Sequence, residues 1–319
     1  MPGMGGGCTY PFKLSRETIP MLSDKGLMRE LGIGAKTLAM FKRVRASAVA
    51  EAKRMARRRK GKIKVLGISG SARDRMDTAA EDSSSEALLK ECLFHCRRMG
   101  ASTELIPLRK YDIRYCKACY STANTQCHFY CSCYPKGKNG DDMTNILYDK
   151  IIAADAIIFA TPVNNFKISA PMADFLDRCI SLDGSLKPAD PDAPKDKELN
   201  IKHMKFIELT ADRKIPGSGM LRRFPGKTAG IIVTGHEAGA SLAISNLFLA
   251  LNQFGMIFPP FSSMYARSSV CNSTYEDKKT VLSKCYAEET GLLAKNVVLC
   301  AKNARSVKPT DWVYDYAAD

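Results

Sequence analysis

Short apolar runs alternate with amphipathic segments along most of this sequence, which predicts an α/β fold with a parallel sheet covered on both faces. The predicted strands are Ile63–Ile68, Thr103–Leu108, Ala156–Thr161, Thr228–Thr234 and Met256–Phe261. The predicted helices begin near Ser83 and span Asp141–Ala154, Ile168–Leu182, Ala240–Phe254 and Glu276–Ala301. The alternation therefore favours an open, doubly wound sheet of five parallel strands.

Two stretches interrupt the alternation. Residues 1–61 form an N-terminal extension, in which the Ala, Met, Lys and Arg of Leu38–Arg59 predict a helix. Residues 183–225 are rich in Asp, Lys, Pro and Gly, and this long insert is expected to serve as a lid or an oligomer arm. The α/β domain then covers residues 62–304, and a C-terminal tail covers residues 305–319.

Positive charge is concentrated in the extension. The chain has a net charge of +15, and residues 1–64 hold 16 Lys and Arg against four acidic residues. Such a basic segment suits nucleic acid, an acidic protein partner or anionic lipid. We favour a solvated helix packed across a neighbouring subunit, because Phe41 is the only aromatic residue near the charges and single-strand binders interleave aromatics with cations. We do not expect nucleic-acid binding, and an acidic protein remains the candidate partner.

The apolar content sets limits on location. No apolar run approaches the roughly 18 residues that span a bilayer, so we expect no membrane span. The first residues, MPGMGGGCTYPF, lack the charged start and apolar middle of a secretory signal. Twelve cysteines without such a signal favour a reducing compartment, and we expect the cytoplasm.

Three loops follow directly after apolar strands: Ser69–Arg73, Pro162–Ser169 and Thr234–Ala240. In a doubly wound sheet, ligands bind outside the carboxyl ends of the strands. The first loop consists of small residues and leads to a helix. The exposed N–H groups of the loop, its hydroxyls and the positive start of the helix suit a phosphate group. The sequence therefore predicts a phosphorylated cofactor at this edge of the sheet.

Two segments of the sequence carry motifs that are specific to one protein family. GISGSAR followed by SSSEALL resembles the pattern GISGSxR…SNTxxLL, and Ala154–Arg178 (ADAIIFATPVNNFKISAPMADFLDR) resembles a PVY-containing segment that ends in Asp-Arg. Both patterns belong to the NADPH-dependent FMN reductases and to their relatives, the iron–sulfur flavoproteins. The likeness runs from about Lys62 to Phe261. It implies a flavodoxin-like fold, bound FMN and a homodimer or homotetramer.

The resemblance also implies which residues hold FMN. The FMN phosphate would be bound by Ser69, Ser71 and Arg73, with further contacts from Ser83, Ser84 and Ser85 at the start of the helix. Those lining the isoalloxazine ring would be Pro162, Val163, Asn164, Asn165 and Phe166. Those approaching the ring from the third loop would be Thr234, Gly235, His236 and Gly239. Asn164 stands where the family has a ring-side Tyr.

A cysteine-rich loop occupies residues 115–140 and holds Cys116, Cys119, Cys127, Cys131 and Cys133. Iron–sulfur flavoproteins carry their cysteine motif at this place, so the first interpretation is a [4Fe–4S] cluster, which needs four thiolates. Its ligands would be Cys116, Cys119, Cys127 and one of the last two. Zinc, with His128 available, is a second interpretation, and a loop of free or redox-active thiols is a third.

These observations support an FMN-dependent oxidoreductase with NAD(P)H or a ferredoxin-type protein as electron donor. No side chain is assigned a catalytic role, because hydride transfer to a flavin needs no acid–base pair. One alternative is a non-catalytic, flavodoxin-like electron carrier that docks on a larger redox complex through its basic extension. A further alternative is a redox sensor that binds nucleic acid through residues 42–64.

Overall fold

The computed structural model describes residues 22–57, 60–76, 78, 80–121, 127–212, 214–235, 237–267 and 283–307. Its strands are β1 (Lys64–Ser69), β2 (Ser102–Pro107), β3 (Ala156–Asn164), β4 (Lys167–Ile168), β5 (Thr228–Gly235) and β6 (Ser263–Arg267). Five of them form a parallel sheet in the order β2-β1-β3-β5-β6, and β4 pairs antiparallel with the end of β3. This is the predicted flavodoxin-like, doubly wound order with one short strand added.

Helices cover both faces of the sheet, which explains why its central strands are apolar throughout. They are α1 (Asp24–Leu31), α2 (Ala35–Met55), α3 (Ser84–Arg98), α4 (Tyr148–Ala153), α5 (Ala170–Cys179), α6 (Lys197–Thr210), α7 (Glu237–Gln253) and α8 (Lys284–Ala304). A π-helical turn, Met143–Leu147, leads into α4. The core on one face contains side chains of α3 and α8, and the core on the other contains side chains of α4, α5 and α7. None of the described helices is long and apolar enough to cross a bilayer.

A third, smaller core joins the extension to the insert. Helices α1 and α2 pack against α6, which lies inside the insert. The fully buried Phe41 ring lies 5.5 Å from the Phe206 ring and 4.8 Å from the His203 ring. The Nε of Arg223 donates to the carboxylate of Glu51 at 2.7 Å. The described part of the extension thus packs on the insert of its own chain, where the sequence favoured contact with a neighbouring subunit.

Two strand boundaries differ from the sequence prediction. The last strand is β6, which follows the predicted segment Met256–Phe261. Pro259 and Pro260 lack the N–H that a continuous ladder requires, so pairing with β5 becomes regular only after them. The third strand is predicted to stop at Pro162 but continues to Asn164, because the chain turns back after Asn164 and β4 pairs with Val163 and Asn164.

Candidate functional site

The first loop leaves β1 at Ser69, whose side chain is fully buried. The next residue, Gly70, donates its N–H to the Ala160 carbonyl of β3 at 2.8 Å. A Cβ atom at Gly70 would lie 2.8 Å from the Ser169 Oγ, so only glycine allows the loop to approach β3 and α5 this closely. The Ser71 side chain is also buried, and its Oγ accepts the Arg73 N–H at 3.2 Å.

The predicted helper serines lie at the start of α3. Ser83 is the N-cap residue, and its Oγ accepts the Glu86 N–H at 3.4 Å. The Ser83 and Ser85 hydroxyls lie 2.9 Å apart, and both side chains are buried. Ser84, the first residue of the helix, is half-buried. Hydroxyl groups and the positive helix end thus supply the donors that a phosphate group needs.

Two residues at this site were missed from the sequence. Glu86 is buried behind the loop, and its carboxylate accepts the Ser69 hydroxyl at 3.2 Å and pairs with Arg109 and Lys90. Burial opposes the charge, but hydrogen bonds from Arg109 and Lys90 hold the pKa of Glu86 below its ordinary value. The buried Nε of Arg109 has no hydrogen-bond partner among the described residues. Ser83 and Glu86 have the spacing of a capping box, which is the signal that could have drawn attention to this carboxylate.

The second loop is the hairpin between β3 and β4. Asn165 and Phe166 both have positive φ angles, of 49° and 65°, which non-glycine residues rarely adopt outside tight turns. The turn projects Phe166, whose exposed fraction is 61%, from the carboxyl edge of the sheet. Ser169 anchors the hairpin, because its Oγ donates to the Gly70 carbonyl at 2.6 Å and accepts from Thr161 Oγ1 at 3.1 Å.

The third loop packs directly on the second. A Cβ atom at Gly235 would lie 2.9 Å from the Val163 Cβ, and one at Gly239 would lie 2.3 Å from the Val163 Cγ1. The hydroxyl of Tyr265 donates to the Gly235 carbonyl at 2.8 Å. Thr234, which is buried, pairs in register with Pro162. The three loops predicted from the sequence therefore meet at one edge, while His236 lies outside the described residues.

A buried ion pair holds the cysteine loop at its base. Arg178 pairs with Asp141, both nearly fully buried, and also donates to the Arg114 carbonyl at 2.8 Å. Asp141 accepts the Thr144 N–H at 3.1 Å, as expected for the residue that opens the predicted helix. The hydroxyl of Tyr134 donates to the Tyr115 carbonyl at 2.9 Å. These bonds join the beginning and the end of the loop to α5.

The thiols of this loop interact with one another. The Sγ atoms of Cys119 and Cys133 lie 3.2 Å apart, and the Cys116 Sγ accepts the Ala118 N–H at 3.3 Å. A hydrogen bond with Cys133 and the charge of Arg178 outweigh burial and lower the pKa of Cys131 to about 6, while the contact with Cys131 raises the pKa of Cys133. Burial, with the nearby thiols, raises the pKa of Cys127 to about 12.

The thiols are the right chemical groups to bind an iron–sulfur cluster, but they are not arranged around a common centre. Among the residues that the structure describes, no three cysteine, histidine or acidic side chains are placed to hold a metal ion together. The buried His128, considered for zinc, has its Nδ1 at 2.7 Å from the Ser132 Oγ, and burial lowers its pKa to about 4.

The fold and the three converging loops define a flavodoxin-like α/β protein. The sequence profile of the NADPH-dependent FMN reductase family matches residues 63–268, nearly two thirds of the chain. The chain therefore belongs to this family, which confirms the resemblance found in its motifs.

Individual relatives are more distant. An iron–sulfur flavoprotein of Archaeoglobus fulgidus is 30% identical over 118 residues, which are 37% of this chain and 51% of that protein. The chain thus spans about half the length of this curated relative. The structure of RosB with a bound 8-demethyl-8-formylriboflavin-5′-phosphate intermediate aligns with a TM-score of 0.51 and 17% identity, over 77% of this chain and 81% of that one. A flavone reductase aligns with a TM-score of 0.43 and 18% identity, over 76% and 64%. The RosB alignment supports the fold alone.

Proposed function

We propose that this chain binds FMN at the carboxyl edge of its sheet and uses it to pass electrons from NAD(P)H to an acceptor. The observation that carries the proposal is the convergence of the three loops. The Ser169 hydroxyl donates a hydrogen bond to the Gly70 carbonyl, and Val163 packs closely against Gly235 and Gly239. When bound, FMN supplies the hydride and electron chemistry, and the protein supplies its placement.

The first loop and the start of α3 are assigned to the FMN phosphate. Ser71, Ser83 and Ser85 offer hydroxyl donors there, and the N-terminus of α3 offers its positive end. Arg109 and Lys90 offset the negative charge of Glu86, which would otherwise repel a phosphate. These contacts make the site suitable for an anion despite the carboxylate behind it.

The hairpin and the third loop are assigned to the isoalloxazine ring. Pro162, Val163, Asn164, Asn165 and Phe166 would form one wall, and Thr234, Gly235 and Gly239 would form the other. The close packing of Val163 on both glycines fixes the distance between the walls. The exposed Phe166 side chain would cover ring surface that is otherwise open to water.

The test is the flavin content of purified protein. We expect a yellow protein with the absorption bands of oxidised flavin, and we expect Ser71→Asp to purify without flavin because its carboxylate repels the phosphate. Ser306→Asp, which makes the same change at an exposed position, should keep full flavin content. Full flavin content in Ser71→Asp would remove the first loop from the site.

The electron donor is tested by anaerobic rapid mixing. Bleaching of the flavin by NADPH or NADH, followed by turnover with an added acceptor, supports a reductase. Inertness toward nicotinamides, together with ready reduction by a ferredoxin, would instead support the electron carrier that the sequence left open. That outcome would overturn the proposed donor while leaving the FMN site intact.

For the cysteine loop, we propose a [4Fe–4S] cluster held by Cys116, Cys119, Cys127 and one of Cys131 and Cys133. Support comes from five partly buried thiols in one loop and from the likeness to a protein named as an iron–sulfur flavoprotein. If Cys133 is the fourth ligand, binding a cluster would require its Sγ to move away from the Cys119 Sγ, which now lies 3.2 Å away. Iron, sulfide and zinc assays on anaerobically purified protein test this, with Cys116→Ala expected to lose iron and to keep flavin.

We also propose a homo-oligomer in a reducing, cytoplasmic setting. Leu242, Phe248 and Leu249 leave an apolar strip exposed on α7, and the described cysteines are all free thiols. Light scattering after gel filtration measures the mass in solution. A monomer at micromolar concentration would contradict the oligomer.

A further inference from the structure

A large groove opens at the amino edge of the sheet, opposite the three loops. Its volume is about 1400 Å³, and it lies between α2, the cysteine loop and residues 187–194 of the insert. Lys64 at the start of β1 and Asp155 just before β3 mark its position. We name it the basic groove, after six cations in its lining: Lys36, Arg43, Arg54, Lys60, Lys62 and Lys64.

These six cations have no ion-pair partner among the residues that the structure describes. Each of the six residues is exposed. The other cations of the groove are neutralised: Lys136 pairs with Asp149, Lys187 with Glu51 and Arg305 with Asp155. Of the acidic residues in the described lining, Asp190 and Asp192 are not paired with a cation of the groove, and they offset part of the positive charge of the six cations. The groove therefore presents a net positive potential around its opening.

The lining of the groove also contains apolar side chains, among them Phe129, Tyr130 and Ile152, which we call the apolar floor. The rings of Phe129 and Tyr130 stack with their centroids 4.2 Å apart. Phe129 is buried, and the Tyr130 ring is stacked on Phe129 with the Lys136 Nζ 4.6 Å from its centroid, so neither ring is free to stack on a nucleobase as single-strand binding requires. Apolar side chains combined with polar and charged ones are usual in a protein–protein interface.

The size of the groove also favours a protein segment as its occupant. Small-molecule pockets measure about 300–1,000 Å³, so the basic groove exceeds what a cofactor-sized ligand would fill. Clusters of Arg and Lys commonly recognise acidic peptide segments. Cys131 also lines the groove, so an occupant would contact the cysteine loop.

We propose that the basic groove docks an acidic segment of a partner protein. The cations attract the segment and set its orientation, and the apolar floor accepts its uncharged side chains. Docking does not depend on the proposed flavin chemistry, because the groove and the three loops lie at opposite edges of the sheet. Flavin content and peptide binding are therefore independent readouts.

The experiment uses the full chain and a fluorescein-labelled oligoglutamate peptide with one central leucine, followed by fluorescence anisotropy. Binding should weaken with rising salt, because exposed charges more than about 8 Å apart are screened at physiological ionic strength. The triple variant Arg43→Glu/Arg54→Glu/Lys62→Glu should bind at least about tenfold more weakly. The matched control Lys110→Glu/Lys295→Glu/Lys302→Glu changes the net charge equally at exposed positions outside the groove, and it should bind like wild type.

A milder variant and a cross-linking peptide locate the bound segment. Arg43→Gln/Arg54→Gln/Lys62→Gln should fold normally and lose part of the affinity. A peptide carrying benzophenone in place of leucine should cross-link to Met40, Tyr130 or Ile152. Equal loss of binding in both charge-reversal triples, or cross-links only outside the groove, would overturn the proposal. Tighter groove-dependent binding of a single-stranded oligonucleotide or of anionic vesicles would also overturn it, in favour of that ligand.

Discussion

Ser169 reaches across from the hairpin after β3 and donates a hydrogen bond of 2.6 Å to the Gly70 carbonyl in the loop after β1. This single bond joins the segment assigned to the flavin ring to the segment assigned to its phosphate. Thr161 strengthens the link, since its Oγ1 donates to the Ser169 Oγ and accepts the Ser169 N–H. Together with the bond from the Gly70 N–H to the Ala160 carbonyl, this buried hydroxyl sets the spacing between the two halves of the proposed site.

The first prediction concerns that hydroxyl. Ser169→Ala leaves the Gly70 carbonyl without this partner, and we expect the free energy of unfolding to fall by about 1–3 kcal/mol. We also expect weaker FMN binding, measured by fluorescence quenching on titration of the flavin-free protein. Ser306→Ala removes an exposed hydroxyl and should change neither quantity. Unchanged FMN affinity in Ser169→Ala would show that the link does not align the site.

A second prediction tests the packing of the third loop on the hairpin. Gly239→Ala places a Cβ atom 2.3 Å from the Val163 Cγ1 and 2.9 Å from the Phe166 Cα, so the hairpin must move. Helix propensity alone would make this change stabilising by about 1 kcal/mol, because Gly239 lies within α7. We nevertheless expect a lower melting temperature and loss of FMN affinity.

The control for this clash is a second substitution. Val163→Ala removes the methyl group that the new Cβ would strike, so the double variant should recover part of the lost affinity. Gly291→Ala, in α8 with its nearest neighbouring atom at 3.7 Å, should be neutral or stabilising. Failure of Val163→Ala to rescue Gly239→Ala would mean that the loss has another cause.

These contacts also show which features of the site could be predicted from the sequence. Each of the three loops was recognisable because it follows an apolar strand, and parallel strands bring their carboxyl ends to one edge. Ser169 lies within the predicted second loop, but its partner Gly70 is distant in sequence. Such a bond depends on the register of β1 against β3, which the hydrophobic pattern does not specify. The convergence was therefore predictable, and the bonds that fix its spacing were not.

One helix, the last strand and one ion pair could not be predicted from the sequence for other reasons. Helix α6 was missed because Asp, Lys and Pro crowd the residues before it, and its apolar side chains face α2 instead of the sheet. The final strand was placed too early because Pro259 and Pro260 fall within an apolar run that resembles a strand. Arg109, one of the two cationic partners of Glu86, comes from the segment after β2, and no local pattern joins these two residues.

A third prediction concerns this buried pair. In Arg109→Met, the Glu86 carboxylate stays buried beside Ser69 with only Lys90 as a cationic partner, and we expect a loss of about 2–4 kcal/mol in stability. The double variant Arg109→Met/Glu86→Gln removes the uncompensated charge and should recover part of that loss. Urea unfolding of the flavin-free proteins measures both. Equal stability of the single and the double variant would contradict the assigned role of the pair.

A fourth prediction concerns acid stability. Burial opposes ionisation of Asp141, but hydrogen bonds from Arg178 overcome it and hold the pKa of this carboxyl below its ordinary value. A lowered folded-state pKa contributes stability above the unfolded-state pKa, near 4, and this contribution is lost as the pH falls through the folded-state value. We expect Asp141→Asn to lose this part of the acid dependence. At pH 7 it should be about 3–5 kcal/mol less stable, because Arg178 is left buried without its partner.

The measurement for Asp141 is a series of urea unfolding curves from pH 7 downward. Asp192→Asn, at an exposed position, should leave the acid dependence as in wild type. The cysteine loop should also loosen in Asp141→Asn, because the carboxylate accepts the Arg114 N–H at 3.1 Å. Parallel stability curves for wild type and Asp141→Asn would show that the ion pair does not titrate with folding.

The last prediction concerns the core shared by the extension and the insert. Phe41 is fully buried against Phe206 and His203, so Phe41→Ala should leave a cavity and cost about 3–5 kcal/mol. If the extension and the insert form one structural unit, proteolysis of the variant should accelerate in both α2 and α6. FMN content should stay close to wild type, because the three loops are built on the central sheet. Faster cleavage confined to α2 would instead indicate that the insert keeps its structure without the extension.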